Sequence, residues 1–376
     1  MKNHLIYIYI SLVVILITTA CNSSSSKEHI PVINLNSMSV INDKSELDSK
    51  SLNMSQTLIP LETTDSSLLS KITCIEKSKD AYWIVSDGLV FKFSKQGKYL
   101  QTIGAIGQGP EEYLNAYNLQ IDDSGNKIYV MDYLGRKMVT YTLTGDFINS
   151  FELPHYSYNN FKLDGSNIYF YGYENSIIPA LLKLNTKTMI TDTISTPDRT
   201  MEIGELFMGK TFINTVNDQL YMYHYFNDSI FKIESDNTLK TVGFLDMQNM
   251  YFDYDELITV ADYQTKKKIT EPRALVSNFI DTEKYYMIFY ELSNNAASEN
   301  KRKRLAVYNK TDNKQYPNTI IINKQDTILN IKPTTNIFYS NGNTIISILD
   351  AYQALECKLL PDINEDDNPV LVIHEL

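Results

Sequence analysis

Two stretches of this sequence carry one pattern. AYWIVSDGLVFKFSKQGKYLQTIG (81–104) and KIYVMDYLGRKMVTYTLTGDFINSF (127–151) each run through an apolar strand, a polar turn, a second apolar strand, a glycine turn and a third strand. Gln96-Gly97-Lys98-Tyr99-Leu100 matches Thr144-Gly145-Asp146-Phe147-Ile148, about 48 residues on. Looser copies begin at Asn167 (NIYFYGYENSIIPALLKLNTKTMITDTI), Gln219 (QLYMYHYFNDSIFKIESDNTLKTVGFL), Lys284 (KYYMIFYEL, resuming at RLAVYNKTDNKQYPNTI after a long insertion) and Asn343 (NTIISILDAYQALECKLL), which makes six units. Repeats of roughly 40–50 residues, each a small antiparallel sheet, are the signature of a β-propeller. One such sheet cannot bury both faces alone. Stacking in a ring covers each face with a neighbour and leaves only short, protected edges. The expectation is an all-β, six-bladed β-propeller over residues 31–376. INLNSMSV (33–40) or QTLIPLE (56–62) would complete the last blade and close the ring.

Composition agrees. Tyrosine is abundant at 27 residues, and Tyr, Ile, Val, Phe and Thr favour strands. No window keeps a long 3.6-residue apolar period; short alternating runs are broken by Gly, Asn, Asp and Lys instead.

The N-terminus reads as a targeting segment. Leu5 to Ala20 is an almost unbroken apolar run, too short for a comfortable membrane span of about 20 residues. It ends in Thr18-Thr19-Ala20-Cys21, small residues before a cysteine, as in an export signal with its cleavage site. The expectation is a lipoprotein signal peptide at 1–20, with Cys21 lipidated, and a flexible serine-rich tether at 21–30. An ordinary cleaved signal and an uncleaved anchor are the alternatives. The predicted location is the cell envelope, lipid-anchored to a bacterial membrane. CNSSSSKE lacks an acidic surface-export signal and favours the periplasmic side over the cell surface.

Removing residues 1–20 takes the formal charge from −11 to −12. An acidic body argues against nucleic acid, whose phosphates are bound by Lys and Arg. Cys74 and Cys357 remain; they could pair in an oxidising compartment, but two separate buried thiols are the stronger expectation.

Gly104-Ala105-Ile106-Gly107-Gln108-Gly109-Pro110 has the look of a phosphate loop, but Pro110, Glu111 and Glu112 follow its glycines. A phosphate loop would need a helix directly after the glycines, or Gly-Lys-Ser/Thr. The segment reads as the connector between the first blade and the second. The same residues carry a resemblance. LIPLETTDSSLLSKI (58–72) followed by GKYLQTIGAIGQGPEEY (97–113) resembles the six-bladed β-propeller lipoproteins of Bacteroides-type bacteria. YFNDSIFKI (225–233) and DDNPVLVIHEL (366–376) are similar to their later and closing strands, and VMDYLGRKMVTYTLTGDF to NHL-type repeats. The resemblance implies an envelope lipoprotein that binds a ligand or partner. It carries over no catalytic residues.

The site candidates are Gln108, Glu111, Glu112 and Tyr113 in the glycine loop, Arg136 in a strand turn, and His224 and Asp228 beside Tyr225. Glu111 or Glu112 could accept hydrogen bonds from sugar hydroxyls or amines; equally, the loop could lock two blades. Arg136 could pack between blades or face a ligand. The three histidines of the body form no metal motif with the cysteines, and no nucleophile elbow is present, so no metal, cofactor or catalytic residue is expected. DINEDDN (362–368) lacks the glycine and glutamate of a calcium loop and reads as a surface turn. Lys301–Arg304 is a basic run in the insertion, which usually means a solvated loop; the alternative is contact with anionic headgroups or an acidic partner. The functional expectation is a non-enzymatic binding propeller with a glycan, peptide or envelope-protein partner. The alternative is a propeller enzyme, a lyase or glycoside hydrolase with its site at the central channel. A convergence of acidic and Tyr side chains at the channel would favour the enzyme; a narrow apolar channel would favour a scaffold.

Overall fold

The computed structural model describes residues 30–35, 45–155, 158–172, 181–195, 211–224, 228–247, 260, 262, 264–265, 274–292, 303–325 and 329–376. The signal segment, Cys21 and the tether lie outside the described residues, as do Tyr225, Lys301 and Arg302.

Three short N-terminal strands come first: β1 (Val32–Asn34), β2 (Ser45–Asp48) and β3 (Ser55–Pro60). Six blades follow. The first is β4 (Ile72–Lys77), β5 (Ala81–Ser86), β6 (Leu89–Ser94) and β7 (Tyr99–Ile103). The second is β8 (Ala116–Asp122), β9 (Lys127–Asp132), β10 (Lys137–Thr142) and β11 (Phe147–Glu152). The third is β12 (Tyr158–Asp164), β13 (Asn167–Gly172), β14 (Leu181–Asn185) and β15 (Ile190–Ser195). The fourth is β16 (Thr211–Val216), β17 (Gln219–His224), β18 (Ser229–Ile233) and β19 (Leu239–Asp246). The fifth is β20 (Ala274–Asp281), β21 (Tyr285–Leu292), β22 (Lys303–Asn309) and β23 (Gln315–Tyr316), after which comes β24 (Thr319–Ile322). The sixth holds β25 (Ile337–Asn341), β26 (Thr344–Leu349) and β27 (Val370–Glu375), with β3 as its outer strand.

The ring therefore closes through QTLIPLE. Leu58 pairs with Val372 and Gln56 with His374, antiparallel. The earlier candidate does something else. β1 runs parallel to β19 on the outer edge of the fourth blade, Ile33 opposite Leu245, and β2 runs parallel to β24, Leu47 opposite Ile321. The N-terminal segment thus straps the outside of the ring before completing the last blade.

The core is a set of slabs between neighbouring blades. Trp83 and Val85 of the first blade meet Leu119, Val130 and Val139 of the second. Tyr129 and Met131 meet Phe161 and Phe170 of the third. Tyr169 and Leu181 meet Ile213 and Met222 of the fourth. Tyr223 and Ile230 meet Phe279, Tyr286 and Tyr308 of the fifth. Met287 and Phe289 meet Ile345 of the sixth. Ile346, Leu371 and Ile373 of the sixth meet Tyr82, Ile84 and Phe93 of the first. That last slab buries the seam of the ring. Burying one such large apolar side chain contributes about 1.5–3 kcal/mol, so each blade draws stability from both of its neighbours.

Two sequence expectations need adjustment. Each repeat read from the sequence begins at the second strand of a blade, because that strand is the apolar one. The sixth unit is also not all strand. Ala351–Glu356 forms a short helix, α1, between β26 and β27. Asp350 stands in extended backbone at its N-terminus, and Ala, Gln, Leu and Glu favour helix. The Cys357 that follows is exposed, so of these two cysteines Cys74 alone is a buried thiol, and neither is paired.

Candidate functional site

The glycine loop joins β7 to β8 and is held from within. Tyr113 is fully buried; its hydroxyl donates to Ile103 O at 2.5 Å and accepts from Val90 N at 3.3 Å. Tyr113 N donates to Ala105 O and Gly107 N to Tyr113 O, both at 3.0 Å. Glu112 Oε2 accepts Gly109 N at 2.8 Å, and a Cβ at Gly107 would collide with that carboxylate. The glycines leave room for Glu112 to fold back. Gly104 adopts φ +68 against the Tyr113 and Tyr141 rings, a conformation that L side chains disfavour. The second blade ties in through Lys137 Nζ to Gly109 O (2.8 Å) and Tyr141 OH to Glu111 O (2.6 Å). The Gln108 and Glu111 side chains are exposed.

Arg136 is exposed at φ +55 in the β9–β10 turn, and its carbonyl accepts Leu153 N at 2.9 Å. The neighbour that organises this turn is Asp132, fully buried. Its carboxylate accepts Leu114 N (2.8 Å), Asn115 N (3.1 Å) and Gly135 N (2.8 Å). His224 is half-buried, with Nδ1 2.9 Å from Thr211 Oγ1. Asp228 is exposed and accepts Ser229 Oγ at 2.9 Å. These candidates do not converge: the loop and Arg136 belong to the first two blades, His224 and Asp228 to the fourth.

What does converge is the set of first strands. β4, β8, β12, β16, β20 and β25 line a central cavity of about 350 Å³. Five of them break register among the lining residues, between Ile72 and Cys74, Ala116 and Asn118, Tyr158 and Asn160, Val276 and Asn278, and Ile337 and Tyr339. A bulge inserts a residue and re-aims those that follow. Beyond it, the first three blades present two tiers. The first tier is Cys74, Asn118 and Asn160. Cys74 Sγ donates to Asn118 Oδ1 at 3.2 Å, Asn118 Nδ2 to Asn160 Oδ1 at 2.8 Å, and Asn160 Nδ2 to Asn159 Oδ1 at 2.9 Å. The second tier, two residues on, is Glu76, Gln120 and Lys162, with Gln120 Nε2 donating to Glu76 Oε1.

The opposite half differs. Phe212, Phe279, Phe338 and Tyr339 line it, with Asn214, Asn278 and Ser340 among them. Asn214 Nδ2 donates to Phe279 O at 3.0 Å and Ser340 Oγ to Asn214 Oδ1 at 3.1 Å. At the rim, Tyr117 is 37% exposed, its ring centroid 5.6 Å from that of Tyr133. Among the described lining residues, Glu76 is the one carboxylate and Lys162 the one cation. The channel is neither apolar nor rich in carboxylates.

Burial raises Glu76 to about 7, with the Lys162 charge and the Gln120 hydrogen bond opposing the rise. Cys74 is pushed up to about 12 by burial and by the Glu76 charge, so it stands as a thiol donor to the amide tier. The phenols of Tyr171 and Tyr339 are raised by burial and by the same carboxyl.

The sequence reading missed all of these residues. The signal was there: a polar residue, one apolar residue and a second polar residue recur in TCIE, YNLQ and NNFK. The recurring positions Cys74, Asn118 and Asn160 are spaced by 44 and 42 residues.

The chain belongs to the family described as Domain of unknown function (DUF4934), whose model matches residues 30–375. Among solved structures it is similar to protein BF0058 of Bacteroides fragilis NCTC 9343, described as a candidate exported protein. The two share 16% identity at TM-score 0.67, over 93% of this chain and 99% of that one. A member of the DUF4221 family from Bacteroides vulgatus ATCC 8482 is also similar, with 12% identity and TM-score 0.52 over 85% of this chain and 96% of that one. At these identities the likeness is one of fold. None of the curated protein sequences compared with the chain matches it.

Proposed function

We propose that this chain is an envelope-anchored, non-enzymatic binding propeller whose central cavity takes a glycan. One observation carries the reading. The first strands of all six blades meet in a cavity lined mainly by neutral amides, hydroxyls and aromatic rings. Binding sites of about 300–1,000 Å³ with a few fixed polar groups suit small ligands. A sugar ring offers hydroxyl edges to Asn118, Asn160 and Gln120 and a C–H face to Tyr117 at the rim. Anchoring through Cys21, after a signal at 1–20 and a tether at 21–30, rests on the sequence motif, and the periplasmic side on the absence of an acidic signal.

The enzyme alternative loses ground because Glu76 is without a second lining carboxylate among the described residues, and hydrolysis of a glycoside ordinarily uses a pair.

The test is calorimetric titration of the purified full-length chain in detergent with mono- and disaccharides, beside an Asn118→Leu/Asn160→Leu variant checked for fold by circular dichroism. Saturable binding lost in the folded variant is expected. Binding unchanged in that variant would sink the cavity as the site.

A further inference from the structure

The second tier of the cavity holds one charge of each sign, and they differ in how they are partnered. Glu76 receives the Gln120 amide. Lys162 is 8% exposed and lines the cavity, yet among the described residues its ammonium makes no hydrogen bond or ion pair. Its field reaches Glu76 and the Cys74 thiol, but no described acceptor meets its N–H donors. The residue is buried as a whole, yet its ammonium is not among the sealed, unsatisfied polar atoms, so it opens into the cavity, where an anion could meet it. The neighbouring amide oxygens Asn118 Oδ1, Asn160 Oδ1 and Asn159 Oδ1 each accept a first-tier hydrogen bond instead.

We propose that Lys162 is the anchor for an anionic group of the ligand, so that the cavity selects an acidic sugar over a neutral one. This rests on the glycan-binding reading. The recognised chemistry is a single oxyanion on an otherwise hydroxylated ring. The oxyanion reaches Lys162 in the second tier, and the hydroxyls exchange bonds with the amides of the first. A charge-assisted bond of this kind is about twice as strong as a neutral one. A point-charge ammonium also accepts a carboxylate or a sulfate ester without the planar demands of arginine.

The geometry carries a second consequence. Ligand anion and Glu76 carboxylate would compete for one ammonium. The charged or titratable groups around Glu76 are Lys162 from β12, Tyr171 from β13, Tyr339 from β25 and Cys74 on its own strand. Lys162 is the one cation in this set. When its field is shared with the ligand, Glu76 takes up a proton.

The test uses the full-length chain and four probes: D-glucose, D-glucuronate, glucose 6-sulfate and sodium acetate. Titrations near neutral pH, in two buffers of different ionisation enthalpy, read affinity and proton uptake together. The expected result is a preference for glucuronate over glucose of about tenfold or more, with proton uptake on binding. Lys162→Met should erase the preference while glucose still binds, Lys162→Arg should keep part of it, and Glu76→Gln should remove the proton uptake. A sulfate ester bound more tightly than glucuronate keeps the anchor and identifies the anion as sulfate. Acetate alone should compete weakly with glucuronate and not with glucose. Equal binding of glucose and glucuronate by the wild type overturns the anchor and leaves the glycan reading standing. So does a preference untouched in a folded Lys162→Met variant. No binding of any sugar overturns both.

Discussion

Gln56 and His374 meet across the seam of the ring. Gln56 Nε2 lies 2.8 Å from His374 Nδ1, and the far side of the imidazole, Nε2, lies 2.9 Å from Ser347 Oγ. The ring is 1% exposed, and burial lowers it to about 4. A neutral imidazole accepts from the glutamine at Nδ1 and donates to the serine at Nε2, which satisfies both nitrogens. Gln56 also donates to Leu329 O at 2.7 Å and accepts from Asn323 Nδ2 at 2.6 Å. The strand that closes the propeller is thus fixed by a polar junction as well as by its backbone ladder.

This junction makes the closure acid-sensitive. Between about 6.5 and about 4 the unfolded chain binds a proton at His374 that the folded chain refuses. Stability from this group is therefore complete above 6.5 and is lost as pH falls through that window, on the order of 3 kcal/mol in all. Selective carbon-13 labelling of histidine, followed by NMR titration, should show one imidazole still neutral at pH 5. A midpoint for His374 at 6.5 or above would refute the assignment.

Gln56→Leu should lower stability by about 1–3 kcal/mol, because it strips a buried imidazole of its donor and leaves Leu329 O and Asn323 Nδ2 short of partners. Urea unfolding reads it directly. A midpoint shift no larger than that of an exposed control such as Glu111→Ala would show that the seam is held by its ladder alone.

Glu112 and Glu111 should separate cleanly. Glu112 caps Gly109 N and fills the space left by Gly107, whereas the Glu111 side chain is exposed. Glu112→Ala should cost about 1 kcal/mol, Glu111→Ala close to nothing. Hydrogen exchange at Gly109 should rise in the first variant and not in the second. Equal, unchanged exchange in both would show that the carboxylate cap does not hold the loop.

How much of this was legible beforehand depended on the strand. Second strands such as AYWIVS and KIYVMD are buried along most of their length and announce themselves as apolar runs, which is why six repeats could be counted. First strands such as ITCIEK and YNNFKLD place polar side chains towards the cavity, and their hydrophobic signal is correspondingly weak. The conspicuous motifs drew attention for a physical reason too. Glu62 of IPLETT accepts Tyr99 N at 2.9 Å, and Asn368 Oδ1 accepts Leu69 N while its Nδ2 donates to Glu62 O and Ser67 O. Such residues use side-chain carboxylates and amides to satisfy backbone groups of the connections, which gives those segments a distinctive local pattern. The cavity is written in side chains that look ordinary one strand at a time. Only their alignment across blades shows two tiers.

Glu76 gives the opposite pH dependence to His374, and the two can be told apart. Its folded carboxyl titrates near 7 against an ordinary 4.5, so between those values the folded chain holds a proton that the unfolded chain has released. Stability from this group is complete below 4.5 and declines as pH rises through 7, again on the order of 3 kcal/mol. The cause is desolvation, which the Lys162 charge offsets only in part. Glu76→Gln keeps an acceptor for Gln120 and removes the titration. Urea midpoints compared at pH 5.5 and pH 8 should therefore fall with rising pH in the wild type and fall less in the variant, whatever the variant's absolute stability. If both proteins show the same slope, Glu76 does not titrate between pH 5.5 and pH 8, and the proton uptake expected when an anionic ligand shares the Lys162 charge would have no group to supply it.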